Sequence, residues 1–329
     1  MPRLPTRLLL ESYRENPLLA LLLKECRSLD SARNELRWLR ERALRSGSRH
    51  AGWQMRLKAM CHRRSKGVPL QYLLGDQPFG DLEILCRRGV LIPRSDTESY
   101  TFQAAKLVRQ MALERSGEDK NPRYSNPLRI LDLCTGTGCI ALLLHALLAP
   151  LLTRRALVDV QFHQANVLGP DGGSPVPSIE DILCNWDSSH KISRSGPKSD
   201  GCDLLISNPP YISDADFRNG TTSRSVRLFE PRLALVPPSS HRVSPGVLPE
   251  DIFYYHILVQ SLKLKAKITV LECGDIRQAQ RVIKMHRILS SGHEDDFRAG
   301  LWPDTEQDML ANGFHPHAGS RGVIIQRQI

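Results

Sequence analysis

With 329 residues the chain can bury a sizeable core, in one large domain or in two. Charged residues at 24% and hydrophobic ones at 41% are ordinary for a soluble globular protein, and the apolar run Pro17 to Leu23 is far too short to span a bilayer. The net charge of +10 suits an anionic partner, or a matrix or nuclear destination, and does not decide between them.

Eight Cys occur with no C-x-x-C pair and no His spacing that suggests zinc. They are read as reduced thiols, and no metal is expected. The first ten residues hold two Arg and no acid, compatible with a short mitochondrial presequence. Two prolines and scarce Ser make an ordinary frayed terminus an equal reading. The expected location is the mitochondrion, with the cytoplasm as alternative.

From about Asn16 to His62 the pattern is helical. Leu18, Leu19, Leu22 and Leu23 repeat at helical spacing, and Asp30 or Ser31 is the expected N-cap of a second segment. Residues 63 to 94 are broken by Gly67, Pro69, Gly75, Pro78, Gly80 and Gly89, and alternation around Leu82, Ile84 and Val90 predicts a β-hairpin. Ser95-Asp96-Thr97-Glu98 reads as a capping box opening a helix to about Leu113.

Residues 129 to 142 then read as strand, glycine turn and helix. Gly136 and Gly138 permit a close backbone approach, as in dinucleotide-binding turns, although the departure from G-x-G-x-x-G argues against a pyrophosphate grip. Residues 154 to 168 read as one strand. Residues 169 to 201, rich in Gly, Pro and Ser, read as a surface insertion with a helical patch at Ser178 to Trp186. Further on, a helix from Asp251, a strand at Ile268 to Glu272, a helix at Arg277 to Met285 and a last strand at Gly322 to Gln326 complete an α/β alternation. That alternation predicts a mostly parallel sheet with helices on both faces. His315-Pro316-His317 is read as a solvated turn, and Trp302-Pro303-Asp304 as a packed loop.

The stretch with most chemical content is Cys202 to Ile212. A buried-strand run ends on Asn208-Pro209-Pro210-Tyr211. Two prolines fix φ twice and remove two donors, so Asn208 is held at a strand's C-terminal end, the edge where open α/β sheets bind ligands. An Asn amide and a Pro carbonyl together can hold a planar –NH₂ by both hydrogens, with Tyr211 on its face. On its own this is as readily a stiff surface turn.

Taken with that stretch, the D-x-x-x-G-x-G turn resembles one that binds S-adenosylmethionine. The chain resembles the release-factor glutamine N5-methyltransferases of the HemK/PrmC type. The likeness extends over Gly67 to Gly75, Pro78-Phe79, Val90 to Glu98, Phe229 to Leu235 and Leu271 to Asp275.

The resemblance implies a class I S-adenosylmethionine-dependent methyltransferase fold, an α/β Rossmann-like sheet at 95–329. It implies a helical substrate-docking domain at 1–75 and a hairpin connector at 76–94. It makes Asn208, Pro209, Pro210 and Tyr211 the catalytic group. Asp132, Cys134, Thr135, Gly136, Thr137, Gly138, Asn166 and Asn208 become the cofactor-binding set. Asn166 stands where the family carries an adenine-side Asp, and the start of the helix at Ser95 closes one side of the methionine pocket.

One family unit is not found: a second strand ending in a ribose-binding acid, about 20 residues past the glycines. Asp159 is the one candidate stand-in, but a position inside a strand turns it to the flank of the sheet rather than to a ribose. A degenerate chain and a misjoined transcript leave the same trace. The activity implied is N5 methylation of the Gln of a Gly-Gly-Gln loop in a peptide-chain release factor. The enzyme is expected to act as a monomer, without membrane, and with nucleic acid not its substrate. The alternatives are a nucleic-acid adenine-N6 methyltransferase and a catalytically impaired paralogue that only binds release factor.

Overall fold

The structure, a computed structural model, describes residues 3–45, 52–115, 128–149, 160–169, 176–189, 201–238, 245–303 and 321–328. In chain order the elements are α1 (Thr6–Glu15), α2 (Pro17–Cys26), α3 (Leu29–Arg45), α4 (Trp53–Arg64), α5 (Leu70–Leu74), β1 (Asp76–Phe79), β2 (Leu82–Leu85) and α6 (Ser95–Arg115). There follow β3 (Ile130–Leu133), α7 (Cys139–Leu148), α8 (Ile179–Ser189), β4 (Leu204–Ser207), α9 (Asp214–Asn219) and α10 (Arg224–Phe229). The chain continues with α11 (Ile252–Lys263), β5 (Ile268–Cys273), α12 (Ile276–Leu289), β6 (Phe297–Trp302) and β7 (Arg321–Arg327).

The chain forms two compact units. One is Met1–Pro78, Glu83–Ile92 and Asp216–Arg232; the other is Phe79–Leu82, Pro93–Ala215 and Leu233–Ile329.

In the first unit, Asn16 caps α2 by accepting from Leu18 N, and Pro17 occupies the helix start, where its missing N–H costs nothing. The second long helix is capped one turn earlier than expected. Ser28 Oγ accepts from Ser31 N at 3.2 Å, so Asp30 and Ser31 lie inside the helix. Leu19, Leu22, Leu23, Leu39, Leu57 and Cys61 make the core. Beside it Arg64 forks onto Glu35 at 2.8 and 2.9 Å, a bidentate pair that keeps a partly buried charge satisfied. The segments that carry the resemblance meet here. Ser225 Oγ donates to Gly67 O (2.7 Å), Tyr72 Oη to Val90 O (2.9 Å), and Ile92 N to Glu230 Oε2 (3.1 Å).

The second unit is built on a five-stranded sheet of order β3-β4-β5-β7-β6. β3, β4 and β5 run parallel, and β7 lies antiparallel between β5 and β6. Every residue of β4 and β5 is buried, as strands covered on both faces must be. Leu205, Leu271, Cys273, Val323 and Ile325 pack with Ile257, Leu258 and Val282 of α11 and α12. Helices α6 and α7 pack on each other and on the sheet. At the foot of the strands Asp203 accepts Arg129 N (2.9 Å) and Lys267 Nζ (2.6 Å), tying three strands together.

The strand expected over 154–168 is not formed in its described part. Residues 160–168 contain only an isolated bridge from Asn166 to Ser178. Val160 and Phe162 alternate as a strand would, but alternation without a neighbour to pair with leaves the backbone groups unsatisfied. Residues 154–159, Asp159 included, lie outside the described residues, as do Asp304 and His315 to His317. Among the described residues β3 is an edge strand. Beside it a cavity of about 300 Å³ is lined by Leu131, Leu144, Leu148, Phe162, Ile179 and Leu183, among others. β6 was not foreseen: Phe297, Ala299 and Leu301 alternate at strand spacing, but Gly300 weakens the short run. It forms by pairing with Gly322 to Arg327 of β7.

Candidate active site

Leu133 and Ser207 are register partners on the parallel strands β3 and β4, and Ser207 Oγ donates to Leu133 O at 2.6 Å. One residue beyond this pair, both strands turn. β3 enters the glycine turn, and β4 enters Asn208-Pro209-Pro210-Tyr211. Ser207 is in turn the register partner of Leu271, which puts Glu272 at the same edge on β5. Three neighbouring strand ends thus deliver the site, as the fold rule for open sheets requires.

In the glycine turn, Cys134, Gly136 and Gly138 have φ of 62°, 57° and 80°. The glycines adopt these angles freely, whereas Cys134 holds a left-handed conformation at a cost. Gly138 N donates to Thr135 O, and Gly138 O accepts Leu142 N to open α7. Asp132 Oδ2 accepts the Thr135 hydroxyl. Its Oδ1 is buried and has no hydrogen-bond partner among the described residues. Burial pushes the Asp132 carboxyl up to about 7, offset in part by the Thr135 hydroxyl. Burial also pushes the Cys134 thiol up to about 12, so it stays protonated near neutrality.

At the second turn, Asn208 is half-buried and its Nδ2 donates to Thr97 Oγ1 at 3.0 Å. Thr97 Oγ1 donates to Glu272 Oε2 at 2.6 Å. Tyr211 Oη donates to Glu272 Oε1 at 3.3 Å. The Tyr211 ring lies against Gly274, where a Cβ would come within 3.1 Å of it. Its carbonyl accepts Gln278 Nε2 at 3.2 Å. Burial pushes Glu272 up to about 7, with Thr97 and Tyr211 pulling the other way. Burial, and then the Glu272 charge, raise the Tyr211 phenol well above its usual range, so it remains a donor.

The structure therefore gathers Asp132, Cys134, Thr135, Gly136, Thr137, Gly138 and Asn208 to Tyr211 at one sheet edge. Asn166 is placed differently. Its Nδ2 donates to Gly169 O and its Oδ1 accepts Leu168 N, so both ends of its amide close its own turn. Thr97 and Glu272 lie inside longer family-like segments, and no sequence signal ties either to Asn208. Helix α6 does start at Ser95, but Glu98 N bonds Arg94 O. Thr97 thus has its hydroxyl directed at the site from the first turn.

Relatives match over most of the chain. A Saccharomyces cerevisiae protein named mitochondrial MRF1 N(5)-glutamine methyltransferase MTQ1 is 38% identical over 261 residues, covering 78% of this chain and 76% of that protein. The chain belongs to the N(5)-glutamine methyltransferase family. A Schizosaccharomyces pombe protein named "Probable MRF1 mitochondrial N(5)-glutamine methyltransferase mtq1" is 34% identical over 315 residues, covering 85% of this chain and 88% of that one. The Haemophilus influenzae release factor glutamine methyltransferase is 36% identical over 187 residues, or 56% and 58% of the two chains. No family model matches. Among solved structures the hMettl16 catalytic domain, in complex with a MAT2A 3'UTR hairpin, aligns with a TM-score of 0.38 at 15% identity over 82% of both chains. Among the described residues the methyltransferase carries a mostly parallel α/β sheet, four strands in one direction and β7 in the other, with the glycine turn and the Asn-Pro-Pro-Tyr turn on adjacent strands.

Proposed function

We propose that this methyltransferase transfers the methyl group of S-adenosylmethionine to the side-chain amide nitrogen of the Gly-Gly-Gln glutamine of a release factor, in the mitochondrion. The observation that carries the reading is the pairing of Leu133 with Ser207. It sets a cofactor turn and an amide-gripping turn side by side. S-adenosylmethionine supplies a sulfonium methyl with a neutral thioether as leaving group.

The residues present fit that cofactor. Gly136 and Gly138 open the backbone to close approach, and the buried Oδ1 of Asp132 is available to an ammonium group. Asp159, the stand-in for the ribose-binding acid of the family, falls outside the described residues.

An amide nitrogen is a weak nucleophile because its lone pair is delocalised. Asn208 Oδ1 and the Pro209 carbonyl, two acceptors on a turn stiffened by proline, hold both amide hydrogens. They aim the lone pair and stabilise the positive charge that grows on nitrogen during transfer, and the methylated nitrogen then releases one of its two protons to solvent. Tyr211 covers the planar face. The first 75 residues dock the protein substrate, and the hairpin region 76–94 connects them to the transferase.

Label from tritiated S-adenosylmethionine is expected on the glutamine of a mitochondrial release factor and not on DNA or RNA. Label on adenine instead would overturn the reading. A second expectation concerns β3, an edge strand among the described residues. Restoring a strand–acid–helix unit after Leu148 adds a pair of charge-assisted ribose bonds, worth roughly 1.5–3 kcal/mol each. Cofactor affinity should then rise at least about tenfold in calorimetric titration. Equal affinities in both chains would mean that another acid, such as Asp159, already makes that contact.

A further inference from the structure

We propose that Thr97 and Glu272 are positioning residues that fix which way the Asn208 amide faces, through the one-way chain Asn208 Nδ2 to Thr97 Oγ1 to Glu272 Oε2. The proposal rests on the reading of Asn208 as the group that grips the substrate amide.

The argument is one of hydrogen-bond direction. An Asn amide can be turned end for end with almost no change in shape, and only its partners decide which end is which. A grip on a substrate –NH₂ needs the acceptor Oδ1 turned outward, because Nδ2 would meet donors with donors. In this site the choice is forced from the far end. An ionised Glu272 is acceptor-only. Thr97 has one hydroxyl proton, and it goes to Glu272 Oε2 at 2.6 Å. Thr97 Oγ1 can therefore only accept from Asn208, and the 3.0 Å contact must be made by Nδ2. Oδ1 is left for the substrate and takes no hydrogen bond among the described residues. Thr97 and Glu272 are each 3% exposed, so water does not relax the constraint. The other oxygen of Glu272 accepts from Tyr211 Oη, so the carboxylate also holds the ring that flanks the grip.

Protonation of Glu272 undoes this logic. A carboxylic acid can donate to Thr97 Oγ1, and the Thr97 hydroxyl is then free to turn and donate to Oδ1 of the reversed Asn208 amide. The groups facing Glu272 are Tyr211 from the turn after β4, Arg94 and Asp96 at the start of α6, Cys139 of α7 and Tyr254 of α11. Cys273 adjoins it on β5. Burial dominates their combined effect and sets its titration at about 7.

The test uses the full chain, tritiated S-adenosylmethionine and release factor. Thr97→Val keeps the shape and removes the hydroxyl. It is expected to lower kcat about tenfold, the size of one lost hydrogen bond, with cofactor Kd within twofold of the parent. Thr97→Ser should restore kcat to within threefold. In the parent, kcat/KM for release factor should fall as pH drops through about 7, and Glu272→Gln should flatten that limb because its amide does not titrate. Asp132 titrates in the same region, so a limb that persists in Glu272→Gln belongs to Asp132 and overturns the proposal. Undiminished kcat in Thr97→Val overturns it as well. If Thr97→Val does not fold, the Glu272→Gln profile alone decides. Asn208→Ala separates the two levels. If that variant turns over normally, the amide-grip reading falls. If it is inactive while Thr97→Val is not, only the present inference falls.

Discussion

Asn208→Ala is expected to lower kcat for release-factor methylation by about 10²–10³-fold, the usual cost of removing one preorganised group that stabilises developing charge. The substitution removes an acceptor for a substrate hydrogen. That hydrogen acquires positive character only as nitrogen gives up its lone pair, so the loss falls on the transition state more than on the bound complex. A drop in kcat with little change in KM is the signature of such a group. Cofactor Kd should move less than about threefold, because Gly136, Gly138 and Asp132 sit on the neighbouring strand's turn and are untouched. Single-turnover incorporation of label and calorimetric titration measure the two quantities. Near-normal turnover would remove Asn208 from the mechanism. A kcat loss matched by an equal rise in cofactor Kd would make it a cofactor ligand instead.

Both turns of this site could be read from the chain because each is written in consecutive residues. A short apolar run that stops on Asn-Pro-Pro reads as a strand end once the glycine turn is read beside it, and two glycines between a strand and a Leu-rich helix mark a close approach. The partners of those turns could not be read. Thr97 and Glu272 are 175 positions apart, and their 2.6 Å bond exists only because α6 packs on β5. From the sequence Thr97 was one letter of a helix start and Glu272 the end of an apolar strand.

The same limit explains residues 160–168, where a period-two pattern predicts a strand and none is seen. A strand is a property of a pair, and the pattern of one segment does not say whether a partner lies beside it. Ser28 was missed for a local reason. Three hydroxyl or carboxylate residues, Ser28, Asp30 and Ser31, compete for one cap, and the helix takes the earliest.

The orienting network carries a cost in stability, and its pH dependence gives a further expected result. Folding raises Glu272 from an ordinary 4.5 to about 7. The folded chain therefore holds a proton that the unfolded chain has already lost between those values, and stability must fall as pH rises through that window. Its contribution is fully present below about 4.5 and gone above about 7. For a single group with this shift, the loss between pH 5 and pH 8 is about 2.5 kcal/mol. Asp132 is raised by burial in the same sense and adds to the slope of the parent protein. It is unchanged in Glu272→Gln and cancels when the two proteins are compared. Urea unfolding of the cofactor-free proteins at pH 5, 6, 7 and 8 should show Glu272→Gln gaining on the parent by about 2.5 kcal/mol across the range, whatever their difference at pH 5. Parallel stability curves would mean that Glu272 is not held near 7 in the folded chain. The acid limb predicted for kcat/KM would then have to come from another group. If the curves do diverge, the variant that gains stability at pH 8 is the one that has lost the titrating end of the chain holding Asn208. Such an exchange is expected where a buried charge is kept for orientation rather than for folding.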